Sequence, residues 1–75
     1  MFKVFDEAVV NGRKFAILVD DESRTACEAV WDEQNGRWET DFAYPAVGVD
    51  SMDVAAELDF DGAEKAGYSF KPNAE

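Results

Sequence analysis

Polar and apolar residues separate most cleanly on either side of Asn35-Gly36. Asn-Gly is the preferred central pair of a two-residue type I′ turn, which predicts a β-hairpin over residues 25 to 44. In that register Gln34 opposes Arg37, Glu33 opposes Trp38, Asp32 opposes Glu39, Trp31 opposes Thr40 and Ala29 opposes Phe42. Side chains alternate between the two faces of a strand, so the pairing sorts them. Cys27, Ala29, Trp31, Trp38, Thr40, Phe42 and Tyr44 fall on one face, with Glu33 discordant. Glu28, Asp32, Gln34, Arg37, Glu39 and Asp41 fall on the other, where Val30 is the exception.

A second hairpin is expected around Asn11-Gly12, between residues 2 to 10 and 14 to 19. A two-residue turn there scatters apolar groups over both faces. A three-residue loop, Asn11 to Arg13, gathers Phe5, Val9, Phe15, Ile17 and Val19 and is preferred, with Glu7 the intruder. The mixed pattern also fits a central strand covered on both sides. A charged loop, Asp20-Asp21-Glu22-Ser23-Arg24, joins the two hairpins into an antiparallel meander.

Pro45 ends the fourth strand. Beyond it, Asp50 or Ser51 can cap a helix over about 51 to 58, with acidic groups in its first turn. Met52, Val54, Ala55 and Leu58 give that helix an apolar side suited to cover the aromatic sheet face. Its extension to residue 66 is left open by Gly62, since Asp61 is able to cap a separate short turn that Gly67 stops. Tyr68-Ser69-Phe70 is a fifth short strand or a packed arm, and residues 72 to 75 are expected to fray. The expected fold is α+β: a four- to five-stranded, mostly antiparallel sheet built from two hairpins, with one helix on one face.

Seventy-five residues give room for one small core, so residues 1 to 75 are expected to be a single domain. At 47% hydrophobic the chain is too apolar for a disordered acidic tail. Charge changes the picture more. Seventeen Asp and Glu against seven Lys and Arg leave a net charge of −10. Nucleic acids and anionic membranes are therefore not expected as direct ligands, because binding them needs clustered Lys and Arg. A basic protein partner is. The single cysteine, Cys27, cannot form a disulfide within the chain, and residues 1 to 7 lack the features of a secretory signal. Both point to the cytoplasm.

Catalytic chemistry finds little support. There is no histidine, which removes the Ser-His-Asp and Cys-His arrangements, and Cys27 falls on an apolar face. Glu57, Asp59, Asp61 and Gly62 follow the spacing of a calcium loop, but Tyr68 stands where its bidentate Glu belongs. No enzyme activity, cofactor or metal is expected.

The acidic array remains as the candidate surface. Glu28, Asp32, Glu39 and Asp41 form a row on the hairpin, and like charges facing one another across strands destabilise a sheet. Asp20, Asp21, Asp53 and Glu57 are secondary candidates, and Glu22, Asp50, Asp59, Asp61 and Glu64 extend the field around the helix side. Such a surface is similar in character to the small acidic nucleic-acid mimics with which phages and mobile elements block basic, nucleic-acid-binding proteins. The alternative is a halophile-type or housekeeping domain whose acidity serves solubility. Such a domain would interact through its aromatic face, where exposed rings would also allow a homodimer.

Overall fold

The computed structural model describes residues 1 to 40 and 51 to 70, with Ser51 and Met52 described through the backbone alone. Four strands run in chain order across one sheet: β1 (Phe2–Val10), β2 (Arg13–Asp20), β3 (Thr25–Asp32) and β4 (Arg37–Glu39). Each pairs antiparallel with the next. Two short helices follow, α1 (Ser51–Glu57) and α2 (Phe60–Lys65). A last strand, β5 (Ser69–Phe70), pairs parallel with Thr25 and Ala26 of β3. The fold is the expected α+β, with the helical run divided in two.

The Asn11-Gly12 turn is the tighter, two-residue form. Val10 opposes Arg13, and Asn11 and Gly12 both take positive φ, 51° and 79°. This corrects the preference for a three-residue loop. Val9 consequently opposes Lys14 and lies on the opposite face from Phe15, Ile17 and Val19. Phe5 still reaches the face of those three residues because the register slips between Val4 and Asp6, leaving it in a bulge. There its ring meets the edge of Tyr68 at 6.0 Å. The mixed pattern of β2 is that of a central strand: every residue from Phe15 to Val19 is buried.

At the second hairpin the two-residue turn is overturned. Asp32 opposes Arg37, Trp31 opposes Trp38 and Val30 opposes Glu39, so residues 33 to 36 form a four-residue loop. The Asp32 carboxylate causes this by accepting from the Gln34 amide at 3.0 Å and the Asn35 side-chain amide at 2.7 Å. The Gly36 amide donates to the Asp32 carbonyl at 2.8 Å, and only Gly36 of the Asn-Gly pair has positive φ. The slip is even-numbered, so the faces are kept although the partners change. Asp41, Phe42, Tyr44, Pro45 and Asp50 lie outside the described residues.

The helices cover the face opposite the one expected. Val54, Leu58, Ala63 and Tyr68 pack with Phe15, Ile17, Val19, Ala26 and Val30 in the main core. Trp38 and Cys27 instead join a smaller cluster on the other face, with Ala16, Leu18 and Ala29. Trp31 meets Trp38 edge to face at 5.1 Å, and the Lys14 ammonium lies 5.1 and 5.8 Å from the two ring centres. The tryptophans thus cover each other and their lysine, while β2 supplies the apolar side chains the helices need. None of the described helix residues joins this second cluster.

The break between the helices has a local cause. Asp59 caps α2, its carboxylate accepting from the Gly62 amide at 2.9 Å, while its own amide donates to Asp6 of β1 at 2.8 Å. A Cβ at Gly62 would collide with that capping carboxylate, which explains a glycine inside a helix. The C-terminus of α2 closes with Gly67 at φ 98°, its amide donating to Glu64 at 3.0 Å and that of Tyr68 to Ala63 at 3.1 Å.

Candidate functional site

The hairpin acids do not form the expected row. Asp32 faces Arg37 rather than Glu39, and Arg37 pairs with Glu39 along β4 at 3.2 Å. Glu28 opposes Ile17 on the helix-covered face, where its Oε2 is buried with no hydrogen-bond partner among the described residues. A hollow of about 410 Å³ opens beside this end of the sheet, between Gly12, Arg13, Val30 and the 32 to 34 turn. The Asp32 and Glu39 carboxylates at its rim are already bonded within the chain.

Asp20 and Asp21 serve the fold as well. Asp20 accepts from Ser23 at 2.9 Å and from the Glu22 amide at 3.2 Å, shaping the β2–β3 turn. Asp21 accepts from the Tyr68 hydroxyl and pairs with Lys3 at 2.9 Å and Arg24 at 3.7 Å. The Arg24 guanidinium lies 4.4 Å from the Tyr68 ring centre and donates to the Ala66 carbonyl at 2.6 Å. This network ties the turn to the C-terminus of α2. Short acidic side chains in turns serve backbone and neighbouring donors in this way.

These bonds have a titration signature. The Tyr68 hydroxyl, then Lys3, holds the Asp21 carboxyl below its ordinary value of 3.8, and Ser23 and Asn35 do the same for Asp20 and Asp32. Asp21 in turn raises Tyr68 and Lys3. A carboxyl depressed in the folded state adds stability above its unfolded pKa, and this is lost as pH falls through the folded value. Thermal melts taken from about pH 5 down to about pH 2 should therefore show a smaller loss for Asp21→Asn than for the parent chain. Relief of the general negative charge is common to both proteins, so the difference isolates the network. Equal losses would show that Asp21 is not tied down.

The helical layer is different. Val54 of α1 and Leu58 just beyond it are buried while Asp53 and Glu57 are exposed, and α2 buries Ala63 while exposing Asp61 and Glu64. Among the described residues no cation pairs with any of these four. Four of the described cations are engaged elsewhere: Lys3 and Arg24 with Asp21, Lys14 with Glu7 at 3.5 Å, and Arg37 with Glu39. Lys65, in the last turn of α2, is the cation of the helical layer itself among the described residues. Asp53 and Asp61 sit in first turns, where the helix dipole favours an anion. Glu57 closes α1, where the dipole disfavours one, and it stands four residues from Asp53, a spacing at which like charges repel.

Of the residues singled out from sequence, the structure thus leaves Asp53 and Glu57 exposed on α1 and Asp61 and Glu64 exposed on α2. It disperses Glu28, Asp32, Glu39, Asp20 and Asp21 into packing and turns. Asp59 of the calcium-like spacing is a helix cap. Among the described residues no three His, Cys, Asp or Glu side chains are grouped to hold a metal ion, and no helix is long and apolar enough to cross a membrane. No family model, curated protein or solved structure matches the chain.

Proposed function

We propose that this chain is a non-enzymatic protein-binding domain that presents its acidic helical layer to a basic surface on a larger protein, of the kind that binds nucleic-acid phosphates. One observation supports it: Asp53, Glu57, Asp61 and Glu64 are exposed and have no ion pair among the described residues, while Lys3, Lys14, Arg24 and Arg37 neutralise acids of the sheet and turns. Glu57, at the end of α1 where the helix dipole disfavours an anion, has no cation partner among the described residues, which fits an external one. A cytoplasmic setting fits a chain whose single cysteine, Cys27, cannot form a disulfide within it.

The test compares two variants of equal charge. Asp53→Asn/Glu57→Gln removes two carboxylates from the helical layer, and Glu22→Gln/Glu33→Gln removes two exposed ones from turns. Binding of an oligo-arginine probe of about ten residues is then measured at increasing salt. The helical pair is expected to weaken binding roughly three- to tenfold and the turn pair to leave it nearly unchanged. Equal weakening by both would mean that net charge alone attracts the probe, and the proposal would fail.

A further inference from the structure

We infer that the outer edge of β1 is a strand-addition site for an extended segment of that partner, one in which apolar residues alternate with lysine or arginine. This rests on the helical layer being the surface that meets a basic protein.

The sheet order leaves β1 at an edge, bonded to β2 alone among the described residues. Beyond the bulge, residues 6 to 10 keep an unbroken register with β2, so they form a regular edge. Such an edge carries outward amides and carbonyls that an extended chain can pair.

The two sides of this edge differ in chemistry. On the face away from the helices, Val9 is 65% exposed, with Phe2 at 49% and Val4 at 44% farther along the same strand, and Glu7 between them is paired with Lys14 at 3.5 Å. On the other face α1 packs against β1 and exposes Asp53 and Glu57, and Asp6 lies on that side opposite Ile17. A strand added here meets mainly apolar side chains on one face, where the charge of Glu7 is met by Lys14, and on the other Asp6 with the acidic α1 packed against the strand. Alternation of apolar and basic residues, with period two, satisfies both.

The same charges select the occupant. A second copy of this chain would bring Asp6, Glu7 and an equally acidic α1 to the junction, and like charges facing across strands oppose pairing. A basic strand gains from those groups.

The probe is a capped peptide of alternating lysine and valine as long as β1, made in three forms: unmodified, and with either of the two alternate sets of backbone amides N-methylated. Charge and side chains are the same in all three. We expect the unmodified peptide to bind, one methylated form to bind more weakly on the order of tenfold or more, and the other to bind like the parent. Bound peptide should also slow hydrogen exchange at alternate amides of residues 6 to 10. Equal binding of all three forms would overturn strand addition. If Asp53→Asn/Glu57→Gln still weakened that binding, the helical-layer reading would survive; if not, both would fall. A dimer of the free protein that protects the β1 amides would overturn the inference in favour of a second copy.

Discussion

Phe15→Ala is expected to lower the free energy of unfolding by about 3–5 kcal/mol, measured by urea or thermal denaturation. The ring is 2% exposed on the central strand and packs with Ile17, Val19, Val54 and Leu58, so truncation leaves a cavity between sheet and helices. A small domain has a total stability of only about 5–15 kcal/mol, with chains of this size near the low end. The melting temperature should therefore fall by roughly 15–30 °C. Val9→Ala, on an exposed side chain of the neighbouring strand, should stay within about 0.5 kcal/mol. A loss below about 1 kcal/mol for Phe15→Ala would show that the helical layer does not pack on this face.

Gly67→Ala should cost about 2–4 kcal/mol, from two sources of similar size. At φ 98° an L side chain is strained. The added Cβ would also come within 2.7 Å of the Arg24 guanidinium, forcing it away from the Ala66 carbonyl and the Tyr68 ring. Arg24→Ala removes the second source, so Gly67→Ala should cost less in that background, and a double-mutant cycle measures the difference. Simple additivity would mean that the arginine does not lock the helix end.

Much of the fold follows from local chemistry that can be read in the chain. Asn11-Gly12 makes a hairpin because both residues tolerate positive φ. Gly67 stops α2 for the same reason. The unbroken apolar run from Phe15 to Val19 already carried the mark of a strand covered on both faces. Asn35-Gly36 misled because Asp32, three residues earlier, bonds the loop amides and lengthens the turn. That competition was legible in principle, since an Asp entering a turn commonly serves its own backbone.

Other features depend on tertiary contacts. Nothing in Val4-Phe5-Asp6 marks a bulge; it allows Phe5 to reach Tyr68 and Asp6 to accept from the Asp59 amide. The aromatic mass of Trp31 and Trp38 suggested the helix-bearing face. Their mutual packing with Lys14 removed that need, and the helices went to the Phe15, Ile17 and Val19 side. The acidic surface moved for a related reason. Asp and Glu look alike as surface charge until the structure shows which have partners. Asp20, Asp21 and Asp32 serve turns, whereas Asp53 and Glu57, read from sequence as secondary, have no ion pair among the described residues.

The claim that the helical layer is the binding surface is tested most directly by mapping the oligo-arginine probe with amide and side-chain carboxylate chemical shifts. Perturbations are expected to concentrate at Asp53, Glu57, Asp61 and Glu64 and to be small at Glu22 and Glu33. Shifts of equal size at the turn carboxylates and the helical ones would contradict it.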